Sequence, residues 1–158
     1  MKFKPVLFTI LFIMIIVTLA GCGFKRIIVK DISMEPTIKM DKNALCFYQN
    51  YSSENLPERG EIVVYKAMVD EKERFHIHRV IGLPHEKIAI KNDKVYINGE
   101  ELEVSYIDVV TLPYDINEWT LGDDEVFVMG DNRSKSNDSR IIGPIKLEKI
   151  VGKVKKLF

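Results

Sequence analysis

Soft metal ligands are scarce in this chain of 158 residues, which has three histidines and two cysteines. His76, His78 and His85 match no common zinc spacing, and no cysteine stands beside them, so neither a metal nor another cofactor is expected. Net charge is also lacking. Lys+Arg and Asp+Glu number 23 each, which removes any overall pull toward nucleic acid, so no nucleic-acid partner is expected. Beyond residue 24 there is no amphipathic helical stretch of useful length, no internal repeat and no low-complexity segment. A single domain with a sizeable core fits this length.

Charge is missing in a second, local sense. From Pro5 to Phe24, within "MKFKPVLFTILFIMIIVTLAGCGFKR", no residue is charged. As a helix this run measures about 30 Å, the thickness of the bilayer hydrocarbon. It has no polar face, which argues against a buried helix of a soluble domain. A retained span, a cleaved secretory signal and a lipoprotein signal all fit. "LAGC" (Leu19 to Cys22) resembles the lipobox of bacterial lipoproteins, making Cys22 the candidate lipidation site, although Cys22 could instead pair with Cys46. The run is longer than an ordinary signal core of about 7–15 residues, which places the retained span first. Lys2 and Lys4 face Lys25, Arg26 and Lys30 across it, so the positive charge is nearly balanced and orientation is left open.

The remainder reads as short β runs between turn signals. Expected strands are 26–30, 44–49, 61–66, 74–81, 87–91, 94–98, 125–130 and 150–157. "KIAIKNDKVYING" is the clearest: two alternating runs flank Asn92-Asp93, a pair suited to a tight hairpin turn. The expected fold class is mainly β, an antiparallel barrel or sandwich carrying an N-terminal membrane-anchoring helix. Residues 1–24 would be the anchor or lipoprotein-type signal and 25–158 the β-rich domain, with an irregular extension at 105–122. Cys46, inside an expected strand, reads as a buried apolar residue.

Three stretches carry chemistry. "ISMEPTI" places Ser33 nine residues beyond the apolar run. "RFHIHRVIGLP" (74–84) holds two histidines, which a period of two puts on one strand face. "GDNRSKSNDSR" (130–140) follows a strongly apolar strand. In this order, with "RGEIVVY" (59–65) between the first two, they resemble type I signal peptidases, the membrane-bound serine proteases that remove signal peptides from exported proteins. The resemblance spans the whole chain.

It implies Ser33 as the nucleophile, flanked by Ile32, Met34 and Pro36 as substrate-binding candidates. In the bacterial family the residue before Arg-Val-Ile-Gly is the lysine base; here it is His78. The exchange is chemically sound, because an imidazole of ordinary pKa about 6.5 needs little tuning to act as a base. The resemblance also implies Ser136 beside the base, an Asp138–Arg140 ion pair and Asp131 at a strand end. Asp138 or Asp131 is the expected orienter of the imidazole. His76 reads as a partly exposed strand neighbour, with a place in the cleft as the alternative. His85 and Glu86 stand where the family has Gly-Asp, so an altered, solvent-facing turn is expected there.

Asp31 stands where the family commonly has Ser or Gly, two residues before the nucleophile. An ionised carboxylate there opposes an oxyanion. Either it points away, or the site is slow or inactive. The expected partners are preprotein signal peptides and a membrane. The implied location is the bacterial cell membrane, single-pass or lipid-anchored, with the catalytic domain on the extracytoplasmic side. The expected activity is that of a serine endopeptidase. The alternative is an inactive relative that binds signal peptides or an export partner.

Overall fold

The structure is a computed structural model and describes residues 23–69, 71–92, 94–103 and 116–157. The apolar run up to Cys22 lies outside these residues, and so do the expected anchor helix and the lipidation site. Among the described residues no helix is long and apolar enough to cross a membrane. Phe24, expected as the end of the apolar run, is the first residue of a strand.

Eleven strands are described: β1 (Phe24–Ile28), β2 (Asn43–Tyr48), β3 (Ile62–Val69), β4 (Lys72–Gly82), β5 (Lys87–Lys91), β6 (Lys94–Ile97), β7 (Glu100–Glu101), β8 (Ile116–Thr120), β9 (Glu125–Met129), β10 (Ile145–Lys146) and β11 (Ile150–Leu157). One helical turn, α1 (Ser139–Ile142), follows β9. The strands form two antiparallel sheets, ordered β1-β2-β11-β3-β4-β9-β10 and β7-β6-β5-β8. All eight expected strands are present, with ends shifted by three residues at most. The 105–122 extension is corrected in its described part: Ile116–Thr120 is a strand paired with β5.

Local chemistry accounts for the hairpins. β5 and β6 pair in the register Lys91↔Lys94, which leaves a two-residue loop opened by Asn92 at φ 50°. Asn98-Gly99 joins β6 to β7 with φ values of 52° and 89°, the left-handed pair a type I′ turn requires. β3 and β4 lie at the centre of the large sheet. Val63, Val64 and Tyr65 are buried in sequence, as are Ile77 to Gly82, so both faces of this pair are covered. That is why "IVVY" and "RVIG" read as continuous apolar runs rather than as alternation.

Three apolar clusters hold the fold. One joins Val63, Tyr65 and Val80 to Val126, Val128, Leu147 and Ile150. A second fills the space between the sheets with Ile81, Ile88, Ile90, Phe127 and Met129. The third lies under the β1–β2 connection and contains Val29, Met34, Ile38, Ala44, Cys46, Val64 and Ile77. Cys46 is fully buried there as a free thiol, and burial pushes its pKa up.

Candidate active site

Ser33 lies in the connection between β1 and β2. That connection folds back on itself through Glu35 N–H to Ile32 O (3.2 Å) and Ile38 N–H to Met34 O (2.8 Å). Val29 N–H to Lys42 O closes its base at 3.0 Å. Met34 and Ile38 anchor it in the third cluster. Met34, expected as a substrate-binding candidate, is 0% exposed, with its side chain in the core. Ile32 is half-buried and Pro36 is exposed.

The segment after β9 clamps this loop. Asn132 donates from its backbone N–H to Ser33 O at 2.8 Å and from its side chain to Ile32 O at 3.1 Å. Asp131, fully buried, accepts two hydrogen bonds from Arg79 (2.8 and 2.5 Å) and one from Thr37 Oγ1 (2.5 Å). Arg133 Nε donates to Gly130 O at 3.0 Å. A Cβ at Gly130 would collide with Ser136 Oγ and with Ser33 O, so the backbone approaches both serines as closely as only glycine allows. The Gly-Asp-Asn-Arg stretch thus holds the Ser33 backbone against the sheet.

His78 is 1% exposed at the centre of β4. Both ring nitrogens are engaged. Nδ1 lies 2.8 Å from Tyr65 Oη, and Nε2 lies 3.2 Å from Ser136 Oγ. Ser136 also donates to Asp138 Oδ2 at 2.6 Å. Asp138 in turn accepts from Arg140 Nε and Nη2, both at 2.8 Å, and from Gly130 N–H at 2.9 Å. Asp138 also caps α1, accepting from Arg140 N–H at 3.2 Å. Burial works to raise the Asp138 pKa, but the Arg140 pair and the Ser136 and Gly130 donors outweigh it and hold the carboxyl below the usual range.

Donor counting fixes the imidazole tautomer. Ser136 has one hydroxyl hydrogen and directs it at the Asp138 carboxylate, which can only accept. Ser136 Oγ therefore accepts from His78 Nε2–H, and Nδ1 accepts from Tyr65. Burial drives the His78 pKa down to about 4, against the opposing pull of the Asp138 and Asp31 carboxylates. The ring is neutral at physiological pH.

Neither Asp138 nor Asp131 touches the imidazole. Asp138 acts through Ser136, and Asp131 is spent on Arg79 and Thr37. The group that meets Nδ1 is Tyr65, which the sequence reading missed. Tyr65 is fully buried, and burial, then the Asp138 and Asp31 carboxylates, push its pKa above the ordinary range. The one available signal was register. β3 pairs with β4 as Val63↔His78 and Tyr65↔His76, so Tyr65 shares the face of both histidines.

His76 is a half-buried strand residue, and it also lines the cavity. Its ring stacks on Tyr65 with centroids 5.6 Å apart, its Nε2 is buried without a partner, and burial lowers its pKa. His76, His78, Ser33, Asp31, Lys30, Arg74, Phe75, Lys135 and Asn137 line one cavity of about 340 Å³. The turn at His85 is solvent-facing, as expected. His85 holds the left-handed φ of 68° that glycine favours. Glu86 accepts from Leu83 N–H at 2.8 Å and pairs with Arg59.

Asp31 does not point away. Its Oδ1 accepts from Ser33 Oγ at 2.5 Å and from Ser33 N–H at 3.0 Å. Ser33 is therefore bonded to a carboxylate, while His78, across the same cavity, is bonded to Tyr65 and Ser136.

A family model described as "Signal peptidase, peptidase S26" matches residues 3–158. The chain is 36% identical over 125 residues to a probable signal peptidase I-2 of Synechocystis sp., covering 77% of this chain and 56% of that protein. It is 32% identical over 143 residues to signal peptidase IB of Staphylococcus aureus, covering 80% of this chain and 73% of that protein. Among solved structures it is similar to a signal peptidase I from Enterococcus faecalis. That match has a TM-score of 0.53 and 27% identity, and covers 63% of this chain and 97% of the other.

Proposed function

Because the chain belongs to the signal peptidase family, peptidase S26, we propose that it removes N-terminal signal peptides from exported preproteins as a serine endopeptidase, with Ser33 as nucleophile and His78 as general base. The observation that carries this reading is the shared cavity: Ser33 and a neutral, doubly held imidazole open onto the same space. The chain spans just over half the length of the cyanobacterial relative, so activity, substrate and partners rest on this reading of the site.

In the reaction, Ser33 Oγ attacks the scissile carbonyl and passes its proton to the imidazole. His78 accepts at Nε2 only in the tautomer that carries hydrogen on Nδ1. Tyr65 serves both tautomers, because a phenol hydroxyl donates to a bare Nδ1 and accepts from Nδ1–H. Substrate binding that turns Ser33 toward Nε2 therefore leaves Nδ1 bonded throughout. Ser136, held by Asp138 and Arg140, steadies Nε2 at rest. The Ser33 N–H is the oxyanion donor available from the nucleophile itself. The imidazolium then gives that proton to the leaving amine, which releases the mature chain and leaves the signal peptide as an ester on Ser33; the freed imidazole takes a proton from the water that hydrolyses the ester and returns it to Ser33 Oγ.

The uncharged run from Pro5 to Phe24 supports a location at the bacterial cell membrane, with the β domain on the extracytoplasmic side. A nucleophile nine residues beyond that run meets a cleavage site at the end of an apolar signal core.

The Ser33–Asp31 bond favours a second reading, an inactive module that binds signal peptides. Preprotein cleavage by wild type, His78→Ala and His78→Lys separates the two. The enzyme reading expects His78→Ala to lose activity by at least about a hundredfold, the usual weight of a general base. Equal, background-level products from all three proteins support the binding module.

A further inference from the structure

Ser33 presents two donors to acyl chemistry, its hydroxyl and its N–H, and one oxygen accepts both. Asp31 Oδ1 lies 2.5 Å from Ser33 Oγ and 3.0 Å from Ser33 N. The hydroxyl must leave that acceptor to reach a carbonyl carbon, and the N–H must leave it to meet the developing oxyanion. An anionic oxygen held by both donors fills the role that the substrate oxygen takes in the reaction.

We propose that Asp31 is a positioning residue that latches Ser33 at rest, and that a substrate carbonyl enters the site by displacing its carboxylate. The proposal rests on Ser33 being the nucleophile. Three further features of the site fit a latch. Among the described residues the hydrogen bonds of Asp31 go to Ser33, and the rest of its side chain is exposed, so it can swing out without disturbing the core. Lys30, Arg74 and Lys135 line the same cavity and offer cations to the displaced carboxylate. The Ser33 backbone does not depend on Asp31 alone for its position, because the Asn132 N–H holds the Ser33 carbonyl. No covalent bond is made or broken at Asp31. Its displacement exchanges one hydrogen-bond acceptor for another.

A latch and a proton acceptor make opposite predictions. If Asp31 latches Ser33, Asp31→Ser frees both donors and raises kcat/KM on a preprotein by about tenfold or more, the weight of one hydrogen bond to a charged group. Labelling of Ser33 by a fluorophosphonate accelerates in parallel. Asp31→Asn, which keeps an acceptor oxygen without the charge, falls between wild type and Asp31→Ser. If the carboxylate instead takes the Ser33 proton, both variants lose activity, and that result overturns the latch. A readout that does not depend on turnover is the Ser33 amide in full-length protein. In wild type its proton resonance is shifted downfield by the carboxylate and exchanges slowly; in Asp31→Ser it moves upfield and exchanges faster. An amide unchanged by Asp31→Ser overturns the latch at any level of activity. A changed amide in a protein that neither labels nor cleaves upholds the contact and removes Ser33 as nucleophile, so the two failures are distinct.

Discussion

Removing one oxygen atom, by Tyr65→Phe, tests how the imidazole is held. Tyr65 and His78 are 0% and 1% exposed, and Tyr65 Oη lies 2.8 Å from Nδ1. The substitution keeps the ring, its stacking on His76 and its packing against Val63 and Val80, so the change is confined to the hydrogen bond. The partner left behind is a buried, neutral nitrogen that water does not reach. Losing one side of such a bond costs about 1–3 kcal/mol. For a domain of this size about 2 kcal/mol lowers Tm by roughly 4–8 °C. Turnover should fall further than stability explains, because without Tyr65 nothing holds hydrogen on Nδ1 when Nε2 must accept. We expect kcat to drop by at least about tenfold, or about 1.4 kcal/mol of barrier. Urea unfolding, steady-state cleavage and imidazole nitrogen shifts measure the three effects separately. In a His78→Ala background the stability cost of Tyr65→Phe should shrink, since the bond is already gone. Unchanged stability and unchanged kcat in the single variant would refute the orienter role.

Two more outcomes follow from the same geometry. The His78 pKa of about 4 lies below its unfolded value of about 6.5. The unfolded chain therefore binds more protons between these limits, and stability rises with pH across them. His78 contributes fully above about pH 6.5 and loses about 3 kcal/mol as pH falls through 4. Correspondingly, kcat/KM should hold through pH 6 and decline only toward pH 4, and an acid limb centred at 6.5 would contradict a buried base. Asp131→Asn leaves Arg79 buried beside a neutral partner and weakens the hold on Thr37; it should cost about 3–5 kcal/mol in urea unfolding, whereas a loss below about 1 kcal/mol would show that the clamp carries little.

The longer strands of both sheets were legible because they announce themselves locally. "KIAIK" and "KVYI" alternate, and "IVVY" and "RVIG" are continuous because both faces are covered. β7, β8 and β10 were missed for the opposite reason. Two of them have only two residues, and "INEWT" alternates too weakly to stand out from its surroundings. The site was legible as a set of residue types and not as a set of contacts. A serine, a histidine and a late acidic box can be read along the chain. That Tyr65 and not Asp138 meets Nδ1 depends on the β3–β4 register, and that Met34 is buried depends on how the β1–β2 connection folds over the third cluster. Asp31 could be flagged from its position alone, but its contact with both Ser33 donors follows from the turn conformation, which local sequence does not dictate. His85 marks the reverse case: a residue that rarely takes a left-handed conformation holds φ 68° here, which its residue type does not announce.

Every catalytic prediction above depends on Ser33 cutting preproteins. The most direct measurement is incubation of a preprotein with full-length wild type and with Ser33→Ala in lipid or detergent, with the N-terminus of the product sequenced. Wild type should make a single cut after the signal peptide, and Ser33→Ala none above background. Equal cleavage by both, or none by either, would contradict this role of Ser33.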